Sequence, residues 1–410
     1  MRMLAGTCGL LTVAACAGAS TPAQDEVRAI VAEMLADAQT RSSLVASPVS
    51  VSDNGTFTLV HEDGMTLRVG GEILFRYQYN VDSNDDEGGF QIRRARLDFR
   101  GQLRDGITYR VRGDWGRGDD SFDALDIYMG FRLNETWDLR IGQFRFPFDR
   151  EVGRTGATNL LTIERSILST MARLDRTQGA TLTGTWDRVR FAGSVSDGRR
   201  AASTDYIDPD EADSVGLTGR LEFRLGEAGW RQYRRQSWMP GDDSGAMIGL
   251  AGHWQRDGRN GRPAFLVGET TDLYMYTADV GFGGDGGGVL LAASGRTFDA
   301  DADSVSDWGV MGQGSYFVTD EVELYARYAH LFPGERPGDV DDDFGALTVG
   351  GNWYPLGGSR TLRLSAEVTW YPQTQANIAD VLGAPDTSIN LLPDDDGGQV
   401  AFTLQAQIAF

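Results

Sequence analysis

Gln399-Val400-Ala401-Phe402-Thr403-Leu404-Gln405-Ala406-Gln407-Ile408-Ala409-Phe410 closes the chain. Every even position is apolar, Ala406 being the weakest, and Gln, Thr and Ala fill the odd ones. A period of two marks a strand with one apolar and one polar face. Alone, this strand would fit the edge of any antiparallel sheet. Working back along the chain, the same pattern recurs around residues 360–371, 344–356, 321–332, 305–318, 287–298, 270–283, 245–256, 214–226, 188–197, 178–187, 137–145 and 122–133. Three further strands precede these. Ile107, Tyr109, Val111 and Trp115 alternate with Arg110, Arg112 and Asp114. Ala95, Leu97, Phe99 and Leu103 alternate with Arg94, Arg96, Asp98 and Arg100. Leu67, Val69, Ile73, Phe75, Tyr77 and Tyr79 alternate with Arg68, Glu72, Arg76 and Gln78. A barrel of eight strands is already filled by its own side chains, whereas a closed sheet of about sixteen leaves a hole. The polar face then lines water and the apolar face meets lipid. The expected fold is an all-β transmembrane antiparallel barrel of about 16 strands in the outer membrane of a Gram-negative-type envelope.

Composition agrees. Glycine is abundant at 53 residues and proline sparse at 12, as suits strands joined by tight turns. Beyond the extreme N-terminus no long apolar run exists, so no transmembrane helix is expected. The 59 acidic residues outnumber 38 basic ones, all Arg, for a net charge of −21, which argues against nucleic acid as a partner. Both cysteines, Cys8 and Cys16, fall in a leader with Arg2, an apolar run from Leu4 to Ala15 and the small residues Ala17-Gly18-Ala19. Residues 1–19 therefore read as a secretory signal peptide. Val13-Ala14-Ala15-Cys16 also fits a lipobox, which would leave a lipidated Cys16, and both readings stand. Val27, Ile30, Val31, Met34, Leu35 and Ala38 then give residues 24–44 the spacing of a short amphipathic helix in the periplasm. Such a helix is marginal alone: a short coiled coil joining protomers, a helix resting on the barrel rim and a partly frayed leader are all open. Residues 45–65 read as linker, and 66–410 as barrel.

The connections alternate in length. Arg104-Asp105-Gly106, Asn134-Glu135-Thr136, Asp187-Arg188, Gly283-Gly284-Asp285-Gly286, Thr319-Asp320-Glu321 and Gly357-Gly358-Ser359 are short. The long ones hold the acid: Asp82 to Glu87, Asp119-Asp120, Asp205 to Asp213, Asp299 to Asp307, Asp339 to Asp343 and Asp394 to Asp396. Short turns on one side and long loops on the other is the asymmetry of outer-membrane barrels. Residues 227–244 break the rule, being long yet on the short side. Tyr77, Tyr79, Trp115, Trp137, Tyr354, Trp370 and Tyr371, near strand ends, suit interfacial girdles.

Function in such a fold belongs to the lumen. By alternation, the inward arginines of the first five strands are Arg68, Arg76, Arg94, Arg96, Arg100, Arg110, Arg112, Arg132 and Arg140. The inward acids there are Glu72, Asp98, Asp114, Asp126 and Asp138. This wall is net positive, whereas strands after residue 214 are nearly balanced. Charged walls set ion preference, and Arg matches carboxylate and phosphate oxygens. The connection Phe146 to Thr177 is too long for a simple link, and its natural place is inside the lumen as a constriction. It contains Arg150, Arg154, Arg165, Arg173 and Arg176 against Asp149, Glu151, Glu164 and Asp175.

Ile92-Arg93-Arg94-Ala95-Arg96-Leu97, Arg140-Ile141-Gly142-Gln143-Phe144-Arg145-Phe146-Pro147-Phe148 and Ile163-Glu164-Arg165-Ser166 resemble landmarks of the phosphate-selective porin O and P family. The run from Gly55-Thr56-Phe57 to Gly70-Gly71-Glu72-Ile73 is similar to that family's entry into its first strand. The resemblance implies a sixteen-stranded homotrimeric channel with an infolded third loop and basic residues along the pore. Arg93, Arg94 and Arg96 would belong to the basic wall and Arg165 to the constriction loop. Phosphate-specific members use Lys as well as Arg in the constriction, and this chain has no Lys. The resemblance therefore implies general porin activity before phosphate specificity.

Together these readings give a porin passing small hydrophilic solutes, with a modest preference for anions such as phosphate. Arg94, Arg96, Arg100, Arg110, Arg112, Arg132, Arg140 and Arg165 are the pore-lining candidates. Phe410 is a candidate signal for the barrel-insertion machinery, and outer-membrane lipids are partners. The alternative is a structural barrel that anchors the envelope through its N-terminal helix. Catalysis is not expected. Only His61, His253 and His330 exist, and none has a Ser-based nucleophile signature nearby. No Cys/His metal constellation is present. Asp299, Asp301 and Asp303 start a calcium-loop spacing, but Ser304 stands where it needs Gly and Val310 where Glu should close it. No cofactor or metal is expected.

Overall fold

The alternation closes into a single cylinder. In the computed structural model, residues 33, 49–51, 57–61, 63–81, 86–115, 122–203, 215–256, 266, 270–300, 303–336, 343–357, 359–373, 378–384, 386–392 and 398–410 are described. The leader with Cys8 and Cys16 lies outside them, as does the helix of 24–44 apart from Glu33. The strands are β1 (Val49–Val51), β2 (Phe57–Val60), β3 (Thr66–Val81), β4 (Glu87–Arg104), β5 (Ile107–Trp115), β6 (Phe122–Arg132), β7 (Trp137–Arg145), β8 (Arg176–Thr185) and β9 (Val189–Ser196). After them come β10 (Val215–Gly226), β11 (Gly245–Arg256), β12 (Thr271–Gly284), β13 (Gly287–Ala300), β14 (Ser304–Phe317), β15 (Val322–Phe332), β16 (Phe344–Trp353), β17 (Leu362–Tyr371) and β18 (Gln399–Ala409). From β3 to β18 each strand pairs antiparallel with the next, and β18 pairs back onto β3, so the sixteen-stranded sheet has no free edge. The β1–β2 hairpin joins β3 below the C-terminus, Phe57 opposite Val69 and Val60 opposite Thr66.

The outer face is the apolar one. Ile73, Phe75, Ile127, Val349, Trp370, Phe402 and Leu404 are exposed, whereas inward Arg76, Glu222, Arg296, Glu323 and Gln407 are buried. Alternation breaks at one informative place. The register of β4 against β3 shifts, Leu74 facing Arg94 and Phe75 facing Ile92, which leaves Arg93 as an extra residue. A bulge puts two consecutive side chains on one face. Arg93 and Arg94 are therefore both buried while Ile92 is exposed.

Three expectations are corrected. Tyr354 and Tyr371 are buried inside the barrel and belong to no girdle: their hydroxyls donate to Glu323 Oε2 (3.0 Å) and to the Ile389 carbonyl. Asp299 to Asp307 is not a long loop, since β13 runs to Ala300 and β14 starts at Ser304. Asp307 instead points inward and is buried against Arg296 and Arg336, at 2.9 and 2.7 Å. Nor is the inner face polar along its whole height. Toward the long-loop end Leu273, Met275, Phe298, Val305, Leu331 and Phe344 point inward and are buried. Two short helices cover them, α1 (Ile167–Ala172) and α2 (Ile378–Leu382), with Met171, Val381 and Leu382 in the same cluster. The helices need apolar surface there because each buries its own apolar side chains.

Candidate functional site

Residues 146–175, between β7 and β8, are almost wholly buried, with Phe148, Leu160 and Met171 sealed from solvent. The segment is folded inside the cylinder and touches most of its wall. Its irregular backbone has few internal partners, and a buried carbonyl or amide needs one. The inward polar side chains of β10 to β18 supply them. Arg220 Nη1 donates to the Phe148 carbonyl at 2.6 Å and Arg363 Nη1 to that of Leu160 at 2.6 Å. Asn352 donates to the Leu161 carbonyl at 2.9 Å, Gln407 to that of Thr158 at 3.2 Å, and Arg327 to that of Glu164 at 2.8 Å. The Ile163 amide donates to Glu367 at 2.9 Å. Arg220, Arg327, Arg363 and Glu367, which look like part of a balanced pore wall, therefore hold the loop in place.

The loop is also pinned by ion pairs. Glu222 receives Arg154 at 2.8 Å, Arg190 at 2.6 Å and Arg220 at 2.7 Å. On the return limb Glu164 sits beneath Arg93, Arg76 (2.9 Å) and Arg94 (3.8 Å). Burial alone would raise the Glu164 carboxyl, but Arg93, Arg76 and Arg94 hold it well below the usual carboxylate range.

The wall of β3 to β6 is organised differently. Here the arginines pair with acids on neighbouring strands. Arg96 meets Glu72 at 2.6 Å and Asp114 at 2.7 Å, Arg112 meets Glu72 at 2.9 Å, and Arg110 grips Asp98 through two bonds of 2.8 and 2.6 Å. Toward the short-turn end this wall borders two cavities. One, of about 700 Å³, is lined by Arg96, Arg100, Arg110, Arg112, Arg235 and Arg360 against Glu72 and Asp98, with Phe410 at its rim. The other, of about 250 Å³, is lined by Arg132, Arg140, Arg145, Arg154, Arg190 and Arg234 against Asp138 alone. The loop separates them, Ala157 to Asn159 facing the larger and Pro147, Gly153 and Arg154 the smaller.

Arg96, Arg100, Arg110 and Arg112 thus lie on the larger cavity, and Arg132 and Arg140 on the smaller. Arg94 and Arg165 are not brought to either. Both are buried in the seam between loop and wall, Arg165 donating to the Glu151 carbonyl at 3.2 Å. Alternation missed Arg145, Arg190, Arg234, Arg235 and Arg360 as cavity residues. Those at positions 234, 235 and 360 lie in turns, where period two carries no information.

Residues 67–223 match the family described as phosphate-selective porin O and P. That match covers less than half of the chain. The barrel has the fold of outer-membrane porins. An anion-selective porin from Comamonas acidovorans shares 14% identity over 84% of this chain and 100% of its own, with a TM-score of 0.59. OmpT of Vibrio cholerae shares 12% over 86% and 99%, TM-score 0.55. The outer-membrane channel DcaP of Acinetobacter baumannii shares 11% over 86% and 99%, TM-score 0.55. At such identities the likeness is one of fold. No curated protein sequence matches the chain. The fold is that of outer-membrane barrels, whose short turns lie at the periplasmic end. Both arginine-rich cavities lie at the short-turn end of the barrel.

Proposed function

We propose that this porin passes small hydrophilic solutes with a preference for anions such as phosphate, and that it assembles as a homotrimer in outer-membrane lipid. The observation that carries the preference is the pair Arg100 and Arg140. Each is exposed on a periplasmic mouth, and neither has a carboxylate partner among the described residues. Arg140 lies over the rings of Tyr128 and Phe144, at 4.4 and 5.1 Å, which orients it without neutralising it. An unpaired guanidinium in a narrow mouth acts on every ion that passes, whereas acidic loops beyond a Debye length of ~8–10 Å are screened by salt. The trimer rests on the O and P resemblance and on a similar fold, OmpT, described in a trimer form.

A planar-bilayer recording tests this. Stepwise ohmic conductance and an anionic zero-current potential in a salt gradient are expected. A barrel serving only as an envelope anchor through residues 24–44 would insert and stay silent. The packing of α1 and α2 across the long-loop half of the lumen is the one observation that favours it. Replacing Arg100 and Arg140 by Gln should move the potential toward cations without altering folding, since neither holds an ion pair. An unchanged potential would show that the mouths are not where ions are selected.

A further inference from the structure

The connection between β10 and β11, residues 227–244, does not hang below the barrel as a periplasmic turn would. It bends up into the lumen and is fixed there. Trp238 is buried against Gly283 and Gly288, and a Cβ on Gly283 would sit 2.6 Å from the indole Nε1. The Tyr233 hydroxyl donates to the Ala246 carbonyl at 2.8 Å, Ser237 donates to Glu323 at 2.9 Å, and Arg360 donates to the Ser237 carbonyl at 2.8 Å. At its apex Gln236 clasps the constriction loop on three sides. Its amide donates to the Asn159 carbonyl at 3.0 Å, its Oε1 accepts from the Leu161 amide at 2.8 Å, and its Nε2 donates to Glu151 at 3.3 Å.

The two residues before that clasp diverge. Arg234 ends a single 3-10 turn and Arg235 is extended (φ −117°, ψ 152°). Arg234 faces the smaller mouth beside Arg140 and Arg190, and Arg235 the larger beside Arg100 and Arg360. Neither has a carboxylate partner among the described residues. Arg234 is exposed to the cavity, yet partial loss of solvent there, with Arg190 and Arg140 close by, lowers its guanidinium below the ordinary value. A fold gains nothing in stability by crowding like charges, and here rigid anchors hold them in place.

Building on the anion preference proposed above, we propose that residues 227–244 form a selectivity bracket. Gln236 positions the constriction loop, while Arg234 and Arg235 each set the preference for small anions in one of two parallel mouths. Because the mouths are separate, their contributions add.

The test uses the reconstituted full-length porin in a potassium chloride gradient, with Arg234→Gln, Arg235→Gln and the double variant. Each single variant should move the zero-current potential toward cations, and the double variant by about the sum. Gln236→Ala should leave these charges in place yet raise open-channel noise as the loop loosens. If R234Q and R235Q leave the potential unchanged while R100Q moves it, the bracket is overturned. If the double variant moves it no further than one single variant, the two separate mouths are overturned. A wild-type channel that is already cation-selective overturns the anion preference and not the bracket, which then stands if R234Q and R235Q drive the potential further toward cations and falls if they do not. Heat-modifiable gel migration confirms that each variant is folded.

Discussion

Glu164→Gln should open the channel. Among the described residues this carboxylate is the one ion-paired with Arg76, Arg93 and Arg94, all buried. Removing its charge takes the ion-pair partner from three guanidiniums in a buried seam. Breaking a buried pair typically costs about 3–5 kcal/mol. The barrel can relieve this without unfolding, because strand pairing does not depend on Glu164, so the return limb of the loop should leave the β3–β4 wall. Single-channel conductance should rise several-fold with the gel migration of the folded barrel unchanged. Equal conductance in variant and wild type would show that the loop is held by its backbone contacts to β15–β18 alone. The same seam gives a pH dependence. The folded-state pKa of Glu164 is depressed, so its contribution is full above the ordinary carboxylate value of about 4.3 and is lost as pH falls through the depressed one. Wild-type conductance should be flat from neutral to mildly acidic solution and increase only in strong acid, whereas E164Q should be open throughout.

Deleting Phe410 should sharply lower the yield of assembled barrel while synthesis and export continue. The terminal residue closes the seam between β18 and β3. Its amide donates to the Gly71 carbonyl at 3.0 Å, and its carbonyl accepts from the Gly71 amide at 2.9 Å. A Cβ on Gly71 would lie 2.7 Å from the Phe410 ring and 2.8 Å from the Arg96 carbonyl, and one on Gly70 would lie 2.7 Å from the Phe410 carbonyl. Gly71→Val therefore disturbs the seam while leaving the terminal aromatic intact, which separates two roles. We propose that Phe410 is also read by the insertion machinery, so its deletion should lower heat-modifiable protein more than Gly71→Val does. Equal losses would confine Phe410 to the seam, and unaltered assembly after deletion would remove both roles.

What the sequence determined by itself was the wall. Period two is a local property, set by the pleat, so each stretch from Thr66 to Phe410 declared its lipid face without reference to its neighbours. The strand spans, their number and the length of the connection after Arg145 followed from that. Which inward charges are free depends on how the strands pair and where the loop folds. Arg96, Arg110 and Arg112 read as open positive charge, but Glu72, Asp114 and Asp98 come opposite them only once the register of β3, β4 and β5 is set. Arg220, Arg327 and Arg363 are inward too, yet they bind the carbonyls of a loop distant in sequence, which no alternation along one strand can reveal. Arg93 entered the lumen through a bulge, an irregularity of pairing between two strands. The turn at 227–244 was visible as an anomaly of length, but its inward course depends on the glycine socket that receives Trp238, and that socket is made by β12 and β13 together. Periodicity is written in one strand at a time, whereas charge compensation is a relation between strands and loops and exists only after the sheet has closed.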